Sequence, residues 1–168
     1  MKKWIVALLA SACLVSSMPA FAKVATSDLV LGGVALGSRL SELEAIYGTP
    51  TKHTATGFWY RLAYYGETLL VTIDAKTAEE KANHGLSRVY GISVKSQNGL
   101  ATPKEIRVGS TKSDVRAAYG EPDNTQRRAF DEYWVYLDGD NPRQAAFLRL
   151  RFVGDVVTEL GIHVNTGK

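Results

Sequence analysis

Three histidines, one cysteine and a few acid pairs are the residues here whose types suit catalysis or metal binding, and their spacing serves neither. His53, His84 and His163 show no metal-ligand spacing, and a zinc site needs three or four ligands brought together. Asp138-Gly139-Asp140-Asn141 has the look of a calcium loop but lacks that loop's glycine and distal glutamate at the required offsets. It reads instead as a hairpin turn. Glu79-Glu80 and Asp131-Glu132 read as solvated charge, since two carboxylates working on a glycoside need a cleft between them. No serine sits in a Gly-x-Ser-x-Gly frame. Arg127-Arg128 with Phe130 is the nearest approach to a nucleic-acid patch, and two arginines are too few to make one. The expectation is a chain without catalysis, without a metal and without a cofactor.

A different chemistry is better supplied. Trp59, Arg61, Tyr65, Trp134, Tyr136, Arg149 and Arg151 are of the types that dominate binding hot spots, because they join large contact area to directed hydrogen bonding. Thr72 and His163 belong to the same set by strand parity. To act together these side chains need a sheet that turns them all to one side, with its aliphatic positions turned to the other.

The elements that would build such a sheet are written twice. Ser38–Thr51 read SRLSELEAIYGTPT and Ser110–Asp123 read STKSDVRAAYGEPD, with six of fourteen positions identical. Thr111 followed by Asp114 predicts a helix N-cap with an acid at the third helical position, where a carboxylate meets unpaired N–H groups. In the first copy Arg39 replaces the threonine, and Ser41-x-x-Glu44 is the alternative cap. Leu40, Leu43, Ile46 and Tyr47, and then Val115, Ala118 and Tyr119, predict one buried stripe on each helix. Gly48 and Gly120, each with a proline two residues on, predict the helix stops.

After each stop the period changes from 3.6 to 2. Tyr60, Leu62 and Tyr64, then Leu69, Val71 and Ile73, then Ile92 and Val94 predict three strands with their apolar side toward the helix. The second unit offers Tyr133, Val135 and Leu137, then Leu148, Leu150 and Phe152, then Leu160, Ile162 and Val164. Strand parity then turns Trp134 and Tyr136 outward with Arg149, Arg151 and His163. The predicted fold is α+β, two tandem α-β-β-β units with helices packed on one face of antiparallel sheet. The units cover residues 23–98 and 99–168, joined by the polar connector Lys95–Pro103.

Residues 1–22 read MKKWIVALLASACLVSSMPAFA, the layout of a secretory signal peptide cut after Ala22. The poorer alternative is lipid attachment at Cys13, where Ala10 stands at the position that usually carries leucine. Removing this segment takes two lysines and no acid, leaving 18 basic against 17 acidic side chains. So even a balance gives no electrostatic case for nucleic acid or an anionic membrane. The mature chain is expected to be periplasmic or secreted, with no transmembrane segment.

The stretch Gly109–Pro122 (Gly-x-Thr-Lys-x-Asp-Val, then Tyr-Gly-x-Pro), followed by Tyr133-Trp134, resembles the small outer-membrane assembly lipoproteins of the SmpA/OmlA type. The tandem layout is similar to the β-lactamase-inhibitor-protein fold, in which two helix-plus-sheet repeats form a saddle that grips a protein. That resemblance implies an exported, non-catalytic binding module. Its expected partner is a protein, with a cell-wall or outer-membrane component as a variant. The alternatives are a small-ligand or wall-fragment binder using the same aromatics, and a hydrolase with its cleft between the units.

Overall fold

In the computed structural model of the chain, residues 24–56, 59–64, 69–74, 77–141 and 146–164 are described, without side chains at 53–56, 59–64, 74, 81 and 84. The expected signal segment, Cys13 and Tyr65 therefore lie outside the described residues. A short hairpin, β1 (Val30–Leu31) and β2 (Val34–Ala35), leads into helix α1 (Leu40–Tyr47). Then come β3 (Lys52–Thr56), β4 (Trp59–Tyr64), β5 (Leu69–Asp74), a short helix α2 (Ala78–Ala82) and β6 (Arg88–Val94). Helix α3 (Lys112–Tyr119) is followed by β7 (Asn124–Arg127), β8 (Glu132–Leu137), β9 (Ala146–Val153) and β10 (Val156–Val164). The fold is α+β: β3 to β10 form one eight-stranded antiparallel sheet in the order β3-β4-β5-β6-β10-β9-β8-β7.

The two helix-led halves join at the centre of this sheet. β6 and β10 run antiparallel, with Ile92 opposite Ile162, Gly91 opposite His163 and Ser93 opposite Gly161. Each half contributes four strands to the sheet where three were expected. The extra ones are the edges, β3 (KHTAT) and β7 (NTQR). Their side chains are nearly all polar, so no apolar alternation marks them.

Helix α3 starts, and both helices stop, as their sequences predict. At α3 the Thr111 hydroxyl accepts from the Asp114 N–H (3.1 Å) and the Asp114 carboxylate accepts from the Thr111 N–H (2.8 Å). These bonds hold the Asp114 carboxyl below its ordinary range. At α1 the cap is Arg39, whose N–H donates to Glu42 (3.1 Å), so Ser41 and Glu44 do not cap. Gly48 and Gly120 close the helices at φ 79° and 74°, a backbone setting in which a Cβ is strained. The tyrosine before each glycine ties its helix to the segment that precedes it. The Tyr47 hydroxyl donates to the Gly32 carbonyl, and that of Tyr119 to the Thr102 hydroxyl (2.8 Å).

The core lies between the helices and one sheet face. Leu40, Leu43, Val115 and Tyr119 meet Leu69, Val71, Ile73, Ile92, Val94, Leu148, Leu150, Phe152, Leu160 and Ile162, all buried. Ile46, expected in the α1 stripe, is 56% exposed. At 3.6 residues per turn it sits roughly a quarter turn from the centre of the Leu40-Leu43-Tyr47 stripe. The acid pair Glu79-Glu80 opens α2, where Glu80 accepts from the Thr77 N–H (3.0 Å).

Strand β8 is reversed relative to expectation. Trp134 lies opposite Leu150 and Tyr136 opposite Leu148, so both face the core, each 1% exposed. Tyr133 lies opposite Arg151 and Val135 opposite Arg149, so these two face outward with the arginines. The cause is composition: Tyr133-Trp134-Val135-Tyr136-Leu137 is apolar or aromatic at both parities, and only the register with β9 decides which side is buried.

Candidate functional site

Trp134 and Tyr136 are structural rather than partner-binding residues. The Trp134 ring is tilted against Phe152 (centroids 4.6 Å apart), and the Arg116 guanidinium of α3 lies 4.5 Å from its centre. Its indole N–H donates to Glu132 (2.7 Å), and the other oxygen of that carboxylate accepts from Lys112 at the start of α3 (2.8 Å). The two bonds lower the Glu132 pKa to about 2, the Lys112 bond most of all. Tyr136 donates to the Gly120 carbonyl (3.0 Å) at the end of α3, and burial pushes its phenol above the usual range. Trp134 and Tyr136 therefore clamp the two ends of α3 onto β8.

The outer face of the sheet carries the other arginines. Arg151 donates to Asp131 (2.7 Å), which raises its own pKa, and Arg149 stands 3.6 Å from Glu159. The acid pair Asp131-Glu132 is thus divided between the two sides of the sheet. Tyr133, half-buried, has the Arg128 guanidinium 5.0 Å from its ring centre and that of Arg149 at 5.9 Å. Such cation–π contacts draw a cation toward the ring face by about 0.5–1 kcal/mol at exposed sites. Beside them Asn124, Gln126, Val135 and Glu159 line a concavity of about 410 Å³. Among the described residues Arg128 has no ion-pair partner, whereas Arg127, Arg149 and Arg151 each have one.

Where β6 meets β10 the outer face has a floor of two glycines. A Cβ on Gly91 would lie 2.7 Å from His163 Nδ1, and one on Gly161 would lie 2.6 Å from Nε2. The His163 ring thus lies close against backbone, tilted against Phe147 (centroids 5.4 Å, 32° between planes). Burial, aided by the Arg149 charge, lowers its pKa to about 4, so it is neutral at physiological pH. Ser93 Oγ is 3.3 Å from Nε2. A serine beside a histidine is the beginning of a nucleophile–base pair, but Ser93 is only 6% exposed. Among the described residues no carboxylate meets Nδ1 to orient the ring as a triad would require.

Arg149, Arg151 and His163 are thus together on the outer face, as strand parity predicted, and Tyr133, Phe147 and Arg128 join them without having been foreseen. The alternation of Arg149 and Arg151 with Leu148, Leu150 and Phe152 is the signal that could have found Tyr133. Whatever pairs with those arginines must also face outward. In the other half Thr72 lies opposite Arg61 and Asp74 opposite Trp59, the side chains of Arg61 and Trp59 being outside those described. The Asp138–Asn141 turn is tied to the start of the described chain: Asp138, buried, accepts from the Thr26 hydroxyl (2.9 Å), and Asp140 from the Thr26 N–H (2.9 Å). Among the described residues no three His, Cys, Asp or Glu cluster as metal ligands would.

No family model matches the chain, and no curated protein matches it. Among solved structures it is similar to an extracellular protein containing an SCP domain from Bacillus anthracis, at 13% identity and a TM-score of 0.50. The match covers 77% of this chain and 44% of that one, so it spans less than half of the larger protein. A DUF4309 family protein, YjgB, from Bacillus subtilis gives 10% identity and a TM-score of 0.48, over 79% of this chain and 83% of that one. At such identities the first likeness speaks to fold alone. No helix among the described residues is long and apolar enough to cross a membrane.

Proposed function

We propose that this chain is an exported, non-catalytic binding module that recognises a protein partner through the outward face of its sheet. The observation that carries this reading is Tyr133, held half-buried between Arg128 and Arg149 beside the concavity. An aromatic ring already fixed by its neighbours loses little rotamer freedom on binding, so more of its contact energy is kept. Arg149 and Arg151 are the flanking hydrogen-bond donors. Trp59, Arg61 and Tyr65 extend the surface by expectation from sequence.

Export rests on the Lys2-Lys3 start, the apolar run and Ala20-Phe21-Ala22. We read the two helix-led halves as copies of one unit, of the β-lactamase-inhibitor-protein-like kind. Support comes from the shared fourteen-residue stretch and from the pairing of Ile92 with Ile162, each in the last strand of its unit. One observation favours a second reading, a wall-fragment or small-ligand binder: the concavity sets an aromatic ring beside the amides of Asn124 and Gln126, groups that suit a sugar.

The test is photo-crosslinking from position 133 in the cell of origin, with a crosslinker at exposed Ala45 on α1 as the reference. Protein recognition predicts a discrete protein adduct from 133 and none from 45. A glycan adduct, or equal yields from both positions, would sink it.

A further inference from the structure

Strand β7 is an edge of the sheet, paired with β8 alone among the described residues, and all four of its residues are exposed. It carries neither proline nor bulge, devices that keep many such edges apart. Its open hydrogen-bonding groups can be assigned. Arg128 and Asp131 continue the β7–β8 register, and the Arg128 N–H donates to the Asp131 carbonyl (2.8 Å). Bonded and non-bonded pairs alternate in an antiparallel ladder, so Gln126 and Asn124 are bonded to β8 as well, while Thr125 and Arg127 turn their N–H and C=O groups to the open side.

Charge is graded along the same edge. The segment entering β7 carries Glu121 and Asp123, the centre Asn124-Thr125-Gln126 is neutral, and Arg127 and Arg128 follow. Within the chain Glu121 meets Arg116 (2.8 Å), Asp123 accepts from the Leu137 N–H (2.7 Å) and Arg127 stands 3.5 Å from Glu132, yet all these edge charges stay exposed. An acidic start and a basic end make the edge complementary to itself when a second copy runs antiparallel. A parallel copy would set arginine beside arginine. Opposed residues of an antiparallel pair share both a face and a bonding phase. Of the registers centred on the strand, the one with Thr125 opposite its own copy sets Asp123 opposite Arg127 of the second copy, twice by symmetry. The two Arg127 side chains then start about 13 Å apart along the strands. The register with Gln126 opposite its copy gains no ion pair. On the outer face the Thr125 register sets Asn124 opposite Gln126 of the second copy, and both residues line the concavity.

We propose that β7 pairs with β7 of a second copy about a two-fold axis at Thr125. Two outer faces then run on as one surface, and each copy adds its amides to the rim of the other's concavity. This goes beyond the reading of the outer face and holds whichever ligand that face takes. Such a short edge covers well under the ~1,000 Å² of a stable interface, so the pairing is weak and concentration-dependent.

Sedimentation velocity of the full chain from about 10 µM to about 1 mM should show a reversible dimer. Over the same range, hydrogen exchange followed by NMR should show the Thr125 and Arg127 amides gaining protection, while those of Asn124 and Gln126, already bonded to β8, change little. Arg127→Glu and Asp123→Lys should each raise the dimer dissociation constant at least about fivefold, because each turns both symmetric contacts from attraction to repulsion. Mixed in equal amounts, the two variants restore opposite charges at both contacts and should pair within about threefold of wild type. Circular dichroism checks the fold of each variant, and the exchange result on wild type decides the matter if either is unfolded. A chain that stays monomeric at about 1 mM overturns the proposal. So does a dimer in which the Thr125 amide gains no protection, or a mixture of folded variants that associates no better than either alone.

Discussion

Acidification should destabilise this protein through His163. The imidazole is neutral and largely desolvated on the glycine floor, and charging it sets a cation beside Arg149 from β9, with the Ser93 hydroxyl from β6 as its side-chain hydrogen-bond partner among the described residues. Its folded pKa is depressed to about 4 against an ordinary 6.5. The unfolded chain therefore binds the proton first, and stability present above about pH 6.5 is lost as pH falls toward 4. At about pH 5 the difference comes to about 2 kcal/mol, a ceiling because the ring keeps some contact with water. That is about 1 M in the urea midpoint for a chain of this size. Glu132 does not act in this window: its depressed pKa means that its contribution is present above about pH 4.5 and lost as pH falls through 2. The assay is urea unfolding at about pH 7.5 and about pH 5 for wild type and His163→Gln, since only the slope with pH isolates the one titration. The wild-type midpoint should fall by up to about 1 M more than that of the variant. Equal falls in both would refute the burial argument, as would an NMR titration giving His163 an ordinary pKa.

Other substitutions separate structural roles from surface ones. Trp134→Ala should cost about 3–5 kcal/mol in urea unfolding, as a buried aromatic is lost and Glu132 loses a donor. Tyr133→Ala should cost less than about 1 kcal/mol by the same measurement, and the reverse order would return the strand to its expected parity. Thr111→Ala should cost about 1 kcal/mol by removing the α3 cap. Gly161→Ala should cost about 1–3 kcal/mol, because its Cβ would meet the Ile92 carbonyl at 2.8 Å as well as the His163 ring. A thermal midpoint equal to wild type would show that the ring and backbone yield freely there.

What could be read from the chain in advance depended on how local the signal was. The cap of α3 and the stops of both helices are short-range chemistry, so Thr111 with Asp114 and Gly48 and Gly120 were legible. β9 was legible because apolar and polar residues alternate in it from Leu148 to Phe152, and β5 and β10 because Leu69, Val71 and Ile73, and Leu160, Ile162 and Val164, keep a period of two. β3 and β7 were not, because an edge strand with polar side chains offers no period. β8 defeated the parity argument since both of its sides are apolar or aromatic, and the choice between Tyr133 and Trp134 was made by the β8–β9 register and by α3 resting on Trp134. Arg149 and Arg151 were placed on the outer face in advance because they interrupt an aliphatic run. The outward placement of Tyr133 and its contact with Arg128 were missed because both are set only across strands.

The central claim is that the outer face, with Tyr133 at its working centre, is where the partner binds. The most direct measurement is the affinity of the partner identified by crosslinking for wild type, Tyr133→Ala/Arg149→Ala and Glu42→Ala, each verified as folded by its urea midpoint. The account predicts at least a tenfold loss for the double substitution, about 1.4 kcal/mol or more, and none for Glu42→Ala on α1. Unchanged affinity in a folded Tyr133→Ala/Arg149→Ala protein would contradict it.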